Sequence, residues 1–167
     1  VMDKSVVDLL LASTVLRNAI DIDGLAIGKL FRQTGLADLG VDWSRGVRGW
    51  IVAELDDEII GAIQAVPSKP YGFIGDTLVT PQMQGRDLHG HGRLGRRPGT
   101  IGFALFVAAL DYLKNAGCQF ALGVTDKPGL TKIIKHYGGV DLGQHTLLGR
   151  NLATWRVRTE RVDEVST

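Results

Sequence analysis

The spacing of apolar residues changes several times along this chain, and each change marks an element. Val15 to Ile20 is a short extended run, followed by Asp21-Ile22-Asp23. Asp23 is placed to cap a helix whose apolar positions Ile27, Leu30 and Phe31 recur at helical spacing, with Gly35 as its stop. Leu36 to Gly49 is mixed and holds no single period. Trp50 to Leu55 and Ile59 to Val66 are β-type runs around the polar turn Asp56-Asp57-Glu58, which predicts an antiparallel hairpin. Pro67-Ser68-Lys69-Pro70 is a second turn, and Phe73 to Thr80 a third strand closed by Pro81. Three strands on short turns make a meander.

Gln82 to Gly99 has no periodicity and reads as a loop that is long for a compact domain. Thr100 to Asn115 is the clearest helix. Ile101, Leu105, Ala108, Ala109 and Leu113 form one stripe, and Phe103, Phe106, Val107 and Leu110 cover much of the remaining surface. A helix apolar nearly all round belongs inside a core. Gly117 ends it, Gln119 to Thr125 reads as a buried strand, and Pro128 suits the first turn of a helix over Gly129 to Tyr137. Val140 to Leu152 holds one or two final strands, and the segment from Arg156 to Thr167 reads as a charged, frayed tail. The order predicts an α+β fold with one mixed, mostly antiparallel central sheet flanked by helices. It is a single domain, with residues 1–13 as an N-terminal extension.

Composition changes this picture little. A chain of 167 residues, 44% apolar and 22% charged, suits one domain with a core that needs neither disulfides nor a metal. Its one cysteine, Cys118, adjoins the apolar run Phe120 to Val124 and reads as a small buried hydrophobe. No apolar run is long enough to span a bilayer. The net charge of +1 gives no general attraction to nucleic acid or membrane, so neither is expected as a partner. A cytoplasmic protein is the expectation. Glycine stands out, with 22 residues against an average near ~7%. Gly85, Gly90, Gly92, Gly95, Gly99 and Gly102 crowd one stretch that also holds Arg86, Arg93, Arg96 and Arg97. His89-Gly90-His91 lies in the same stretch. A pair on a glycine-rich loop lacks a fixed scaffold, and no cysteine is near to complete a ligand set, so no metal is expected.

A basic loop leading into a buried helix points to an anion. The first helical turn carries amides without intrahelical partners and the positive end of the macrodipole. Phosphate groups bind there, provided small residues let them reach the backbone. Arg97-Pro98-Gly99-Thr100-Ile101-Gly102 supplies an arginine, two glycines and a hydroxyl at this turn.

This phrase and the order of elements resemble the GNAT superfamily of acyl-CoA-dependent N-acyltransferases. In that family the helix after the fourth strand opens with Q/R-x-x-G-x-G/A around the pyrophosphate of coenzyme A, and Thr100 here stands in place of the first glycine. Leu78-Val79-Thr80-Pro81 resembles the family's strand ending, and Val15-Leu16-Arg17-Asn18-Ala19 its opening strand. The resemblance spans roughly residues 14 to 152, judged by element order as in a fold-level analogy. It departs in the extra residues near Gln84 to Arg96, in Lys127 where an asparagine often follows the fifth strand, and in Ile134 where a tyrosine often protonates the leaving thiolate.

The resemblance implies acetyl-CoA, or another short acyl-CoA, as co-substrate and an amine on a small molecule, peptide or protein as acceptor. A homodimer is common among such proteins. Leu78, Val79, Arg97, Pro98, Gly99, Thr100, Ile101, Gly102 and Lys127 are the implied cofactor-binding residues, with the Val79 amide facing the developing oxyanion. The acceptor amine must lose its proton before attack, because alkylammonium groups titrate near ~10. Asp76, five residues before Pro81, is the first candidate for that base and Glu54 the second. Tyr137, one turn beyond Ile134, is the candidate to replace the missing tyrosine. Two other readings remain: a non-catalytic acyl-CoA-binding module of the same fold, and a nucleic-acid-binding domain using the arginine loop. Weak net charge and the absence of aromatics in that loop count against the latter.

Overall fold

Asp56 and Asp57 adopt left-handed conformations, with φ of 51° and 62°. Two such residues make the tight turn whose twist matches an antiparallel pair, and the predicted hairpin forms around them. In the computed structural model, residues 13–35, 46–83, 100–125, 131, 134–135, 138–147 and 150–161 are described, without the side chains of Asp76, His145, Leu147, Arg150 and Arg161. Strands β1 (Val15–Asn18), β2 (Trp50–Leu55), β3 (Glu58–Ser68), β4 (Tyr71–Val79), β5 (Phe120–Thr125), β6 (Val140–Leu147) and β7 (Arg150–Arg158) form one sheet. Its order is β1-β2-β3-β4-β5-β7-β6. All neighbours are antiparallel except β4 and β5. The expected α+β class, with a mixed and mostly antiparallel sheet, is therefore found.

Helix α1 (Gly24–Thr34) covers one face of the sheet and helix α2 (Ile101–Asn115) the other. Under α1, Ile27, Leu30 and Phe31 pack on Trp50, Val52, Ala62 and Leu78. Under α2 lies the larger core, in which Leu105, Ala109, Leu110 and Leu113 are fully excluded from water. Burying each large apolar side chain is worth roughly 1.5–3 kcal/mol, so the all-round apolar character of α2 has its physical outlet here. Cys118 is buried, as its sequence context predicts, and its thiol lies 3.3 Å from the Tyr71 carbonyl.

The core closes tightly against bare backbone at Gly123 on β5. A β-carbon there would overlap the indole of Trp155. That ring is itself buried and packed edge-on against Phe106, with centroids 5.8 Å apart. Neither neighbour has room to retreat. Gly123→Ala is expected to cost about 1–3 kcal/mol, read as a lower midpoint in denaturant titration.

Two expectations are corrected. The chain does not fray at Arg156: β7 runs to Arg158, with Trp155 and Val157 buried and Thr159 buried just beyond it. Trp155-Arg156-Val157-Arg158 alternates with the period of a strand, and its charges obscure that alternation. Asp23 also does not cap α1 through its side chain. It closes a short 3-10 turn (Asp21–Asp23), and its carboxylate accepts from the Ile20 amide at 2.8 Å and from Arg17.

Candidate active site

β4 and β5 come from distant parts of the chain and pair in parallel only from Tyr71 to Ile74 against Phe120 to Gly123. Beyond Ile74, β4 continues for Gly75 to Val79 past the end of its ladder with β5, while at Val124 and Thr125 the ladder of β5 continues with β7. The sheet therefore opens at the carboxyl ends of its one parallel pair. The opening starts at an irregularity in the ladder. Between Ile63↔Thr77 and Ala65↔Ile74, β4 advances one residue more than β3, so Gly75 and Asp76 together face Gln64. A bulge of this kind bends a strand and increases its twist, and it falls where the β4–β5 ladder ends.

The start of α2 stands beside this gap. Thr100 is its N-cap in extended conformation, and its hydroxyl oxygen accepts from the Phe103 amide at 3.0 Å. The Ile101 and Gly102 amides come too early in the helix to find an intrahelical acceptor. A β-carbon on Gly102 would lie 3.7 Å from the side-chain methyls of both Thr77 and Val79, so this turn rests on the part of β4 that runs beyond its ladder with β5. Gly61 permits that approach, since a β-carbon there would meet Leu105 at 3.0 Å and Ile101 at 3.2 Å. Two amides and the positive end of a fifteen-residue helix thus stand beside β4 past the end of its ladder with β5.

The predicted site residues divide as follows. Val79, Thr100, Ile101 and Gly102 are brought together at the helix start, with Thr100 and Ile101 buried and Gly102 half-buried. The side chain of Leu78 is buried under α1, which leaves only its backbone to face a ligand. The Thr80 amide donates to Ile60 on β3 at 2.9 Å. Amides alternate in direction along a strand, so that of Val79 points toward the β5 side; Val79 has an interaction partner of its own there or elsewhere. Asp76 occupies the bulge at the edge of the gap. Arg97, Pro98, Gly99, Lys127 and Tyr137 lie outside the described residues, as does the His89–His91 pair. Ile134, which the resemblance sets against the family's tyrosine, is buried in the main core. Among the described residues, no group of histidine, cysteine and acidic side chains could hold a metal ion, and no helix is long and apolar enough to cross a membrane.

Glu54, the second candidate base, is tied into an ion-pair network. Arg17 Nε donates to its carboxylate at 2.8 Å, and the same guanidinium reaches Asp23 at 2.7 and 3.1 Å. Glu54 lies on β2, with β3 between it and β4. Its visible work is to hold Arg17, which joins β1, β2 and the entry to α1. Arg17 holds the Asp23 carboxyl below the ordinary carboxylate range, while burial opposes that shift. Asp23 raises the Arg17 guanidinium above its ordinary range, with Glu54 contributing second. Because the folded-state Asp23 carboxyl titrates lower than the unfolded one, its stabilisation is fully present above about pH 4 and declines as pH falls further. Asp23→Asn is expected to lower stability by about 1–3 kcal/mol at neutral pH. Melting curves of the variant and the natural protein should converge as the solution is acidified.

One site feature escaped the sequence. Gln64 is buried opposite the bulge, and its amide nitrogen has no hydrogen-bond partner among the described residues. The available signal was one polar residue inside the apolar run Ile63-Gln64-Ala65.

This sheet order, with a splayed parallel pair beside the start of a buried helix, is the fold of the GNAT acetyltransferases. The chain is similar in structure to an acetyltransferase of the GNAT family from Streptococcus pneumoniae, with TM-score 0.61, 11% identity, and 87% of this chain and 98% of that one covered. It is similar also to the loading GNATL domain of CurA from Lyngbya majuscula, with TM-score 0.65, 14% identity and coverage of 88% and 98%. A third similar structure is diaminobutyrate acetyltransferase EctA from Paenibacillus lautus, solved with its substrate L-2,4-diaminobutyric acid and coenzyme A. Here the TM-score is 0.59, the identity 16% and the coverage 87% and 95%. No protein-family model and no curated protein matches the chain by sequence.

Proposed function

We propose that this protein is an acyl-CoA-dependent N-acyltransferase that moves an acetyl or other short acyl group to a primary amine of a small molecule, peptide or protein. The observation that carries the reading is the meeting of the β4–β5 gap with the N-terminus of α2. The helix start is suited to a diphosphate, and the gap is suited to a slender pantetheine arm that presents a thioester between the strands. Arg97, Pro98, Gly99 and Lys127 complete the cofactor-binding set in this reading, by their place in the family's motifs.

In the reaction, the amine nitrogen attacks the thioester carbonyl carbon, the C–N bond forms, and the C–S bond breaks with its electron pair leaving on sulfur. Asp76, at the edge of the gap, takes the amine proton directly or through water, and the thiolate is protonated in turn. A thiol titrates near ~8.5, so its anion is a tolerable leaving group even without a dedicated acid. Tyr137 is the candidate acid where one is used. A reducing compartment such as the cytoplasm suits the single unpaired Cys118.

Buried Ile134 cannot donate a proton, and this favours a second reading in which the protein binds acyl-CoA without catalysis. One experiment separates the two. Acetyl-CoA at a hundredfold excess over its dissociation constant should stabilise the protein by about 2.7 kcal/mol, or roughly 5–10 °C in Tm, under either reading. Only the transferase releases free thiol when a broad panel of amines is added. Absence of any stabilisation removes both.

A further inference from the structure

From the register of the strands outside α1, and resting on the transferase reading, we infer that the acceptor is an extended, peptide-like amine with an apolar middle and a carboxylate about 10 Å from the reacting nitrogen. The start of α2 lies on one face of β4, where Gly102 adjoins Thr77 and Val79. The donor's diphosphate therefore belongs to that face, and the acceptor reaches the gap from the other. On that other face α1 covers β2, β3 and Leu78 of β4, but leaves the β4–β5–β7 part of the sheet open.

Phe73 on β4 pairs with Leu122 on β5, and Leu122 with Arg156 on β7, so the three share one row of this face. Phe73 is 50% exposed, and Val124, one row nearer the gap, is 46% exposed. Apolar surface of this kind beside a proposed reaction site calls for an apolar ligand segment. At β7 the row carries a cation, with Val140 of β6 beyond it. The Arg156 guanidinium stacks 5.0 Å from the centre of the Phe120 ring, and no carboxylate pairs with it among the described residues. Arg158, over the same ring at 5.5 Å, is partly neutralised by Glu160 at 3.3 Å. Stacking holds a guanidinium plane in place while leaving its edge to donate to a carboxylate.

The spacing sets the length of the ligand. Arg156 lies one row back from Val124 and leans a further row toward Phe120, and each row of two residues spans about 6.7 Å. The guanidinium therefore stands roughly 10 Å or more from the start of the gap. A single α-amino acid is too short to bridge that span, whereas an extended tripeptide covers about 10 Å.

The test compares three tripeptides of one sequence with a free amino terminus and leucine in the middle: one with a free C-terminal carboxylate, one with a C-terminal carboxamide, and one ending in lysinamide. Thiol release from acetyl-CoA is followed at fixed ionic strength. The acid form should exceed the carboxamide about ten- to a hundredfold in kcat/KM, the worth of one charge-assisted hydrogen bond. Arg156→Gln should abolish that preference, and Arg156→Glu should transfer it to the lysinamide. Phe73→Ser should raise KM for all three while acetyl-CoA still stabilises the variant. Equal rates for acid and carboxamide, or an unchanged preference in Arg156→Glu, overturn the inference. Turnover of polyamines but of no peptide would overturn it while leaving the transferase reading intact. Stabilisation by acetyl-CoA with thiol release from no amine removes both.

Discussion

Gly102→Asp is expected to leave the protein folded and to weaken acetyl-CoA binding by at least about a hundredfold, a loss near 2.7 kcal/mol. A β-carbon at this position meets its nearest neighbours, Thr77 and Val79, at the ordinary contact distance of 3.7 Å, so the backbone tolerates a side chain. A carboxylate in the first turn of a helix interacts favourably with the macrodipole, and glycine is the poorer helix former. The variant should therefore melt no lower than the natural protein. The same carboxylate occupies the turn that a diphosphate needs and repels it. Thermal stabilisation by acetyl-CoA, compared with the melting temperature of the free protein, separates the two effects. If Gly102→Asp still gains the full stabilisation, the diphosphate does not bind at this turn.

The second large effect is expected at Asp76. Asp76→Asn removes the proposed base without changing side-chain size, and kcat should fall by about 10²–10⁴, the usual worth of positioned proton transfer. Stabilisation by acetyl-CoA should be unchanged, because the residue lies in the bulge of β4 and not at the helix start. The pH profile provides a readout that a structural role would not move. With the base removed, only amine that is already neutral can react, so the rate should climb about tenfold per pH unit until the acceptor amine itself titrates, near ~10 for an unperturbed amine. A variant that keeps the natural rate and profile would place the proton elsewhere, and Asp76 would then serve only the bulge.

Much of the molecule was legible from local pattern. Asp56-Asp57 marked the hairpin, the all-round apolar run from Ile101 marked the buried helix, and Thr100 at its head became the cap. The misreadings share one cause. Arg156 and Arg158 suggested solvent, yet Trp155 and Val157 point the other way into the core. Asp23 suggested a helix cap, yet Arg17 from the preceding strand claims its carboxylate. In both cases a side chain's partner came from outside the local window, and no window average reports that.

The chain's own periodicities determined which segments are helix or strand and in what order they come. Only the tertiary structure decided that β4 and β5 pair over four residues and then part. It also decided that Gly75 and Asp76 stand opposite the single residue Gln64 in the ladder, and that Phe73, Leu122 and Arg156 line one face. Period and propensity act within a few residues, whereas register and bulges are settled by how remote strands share one core.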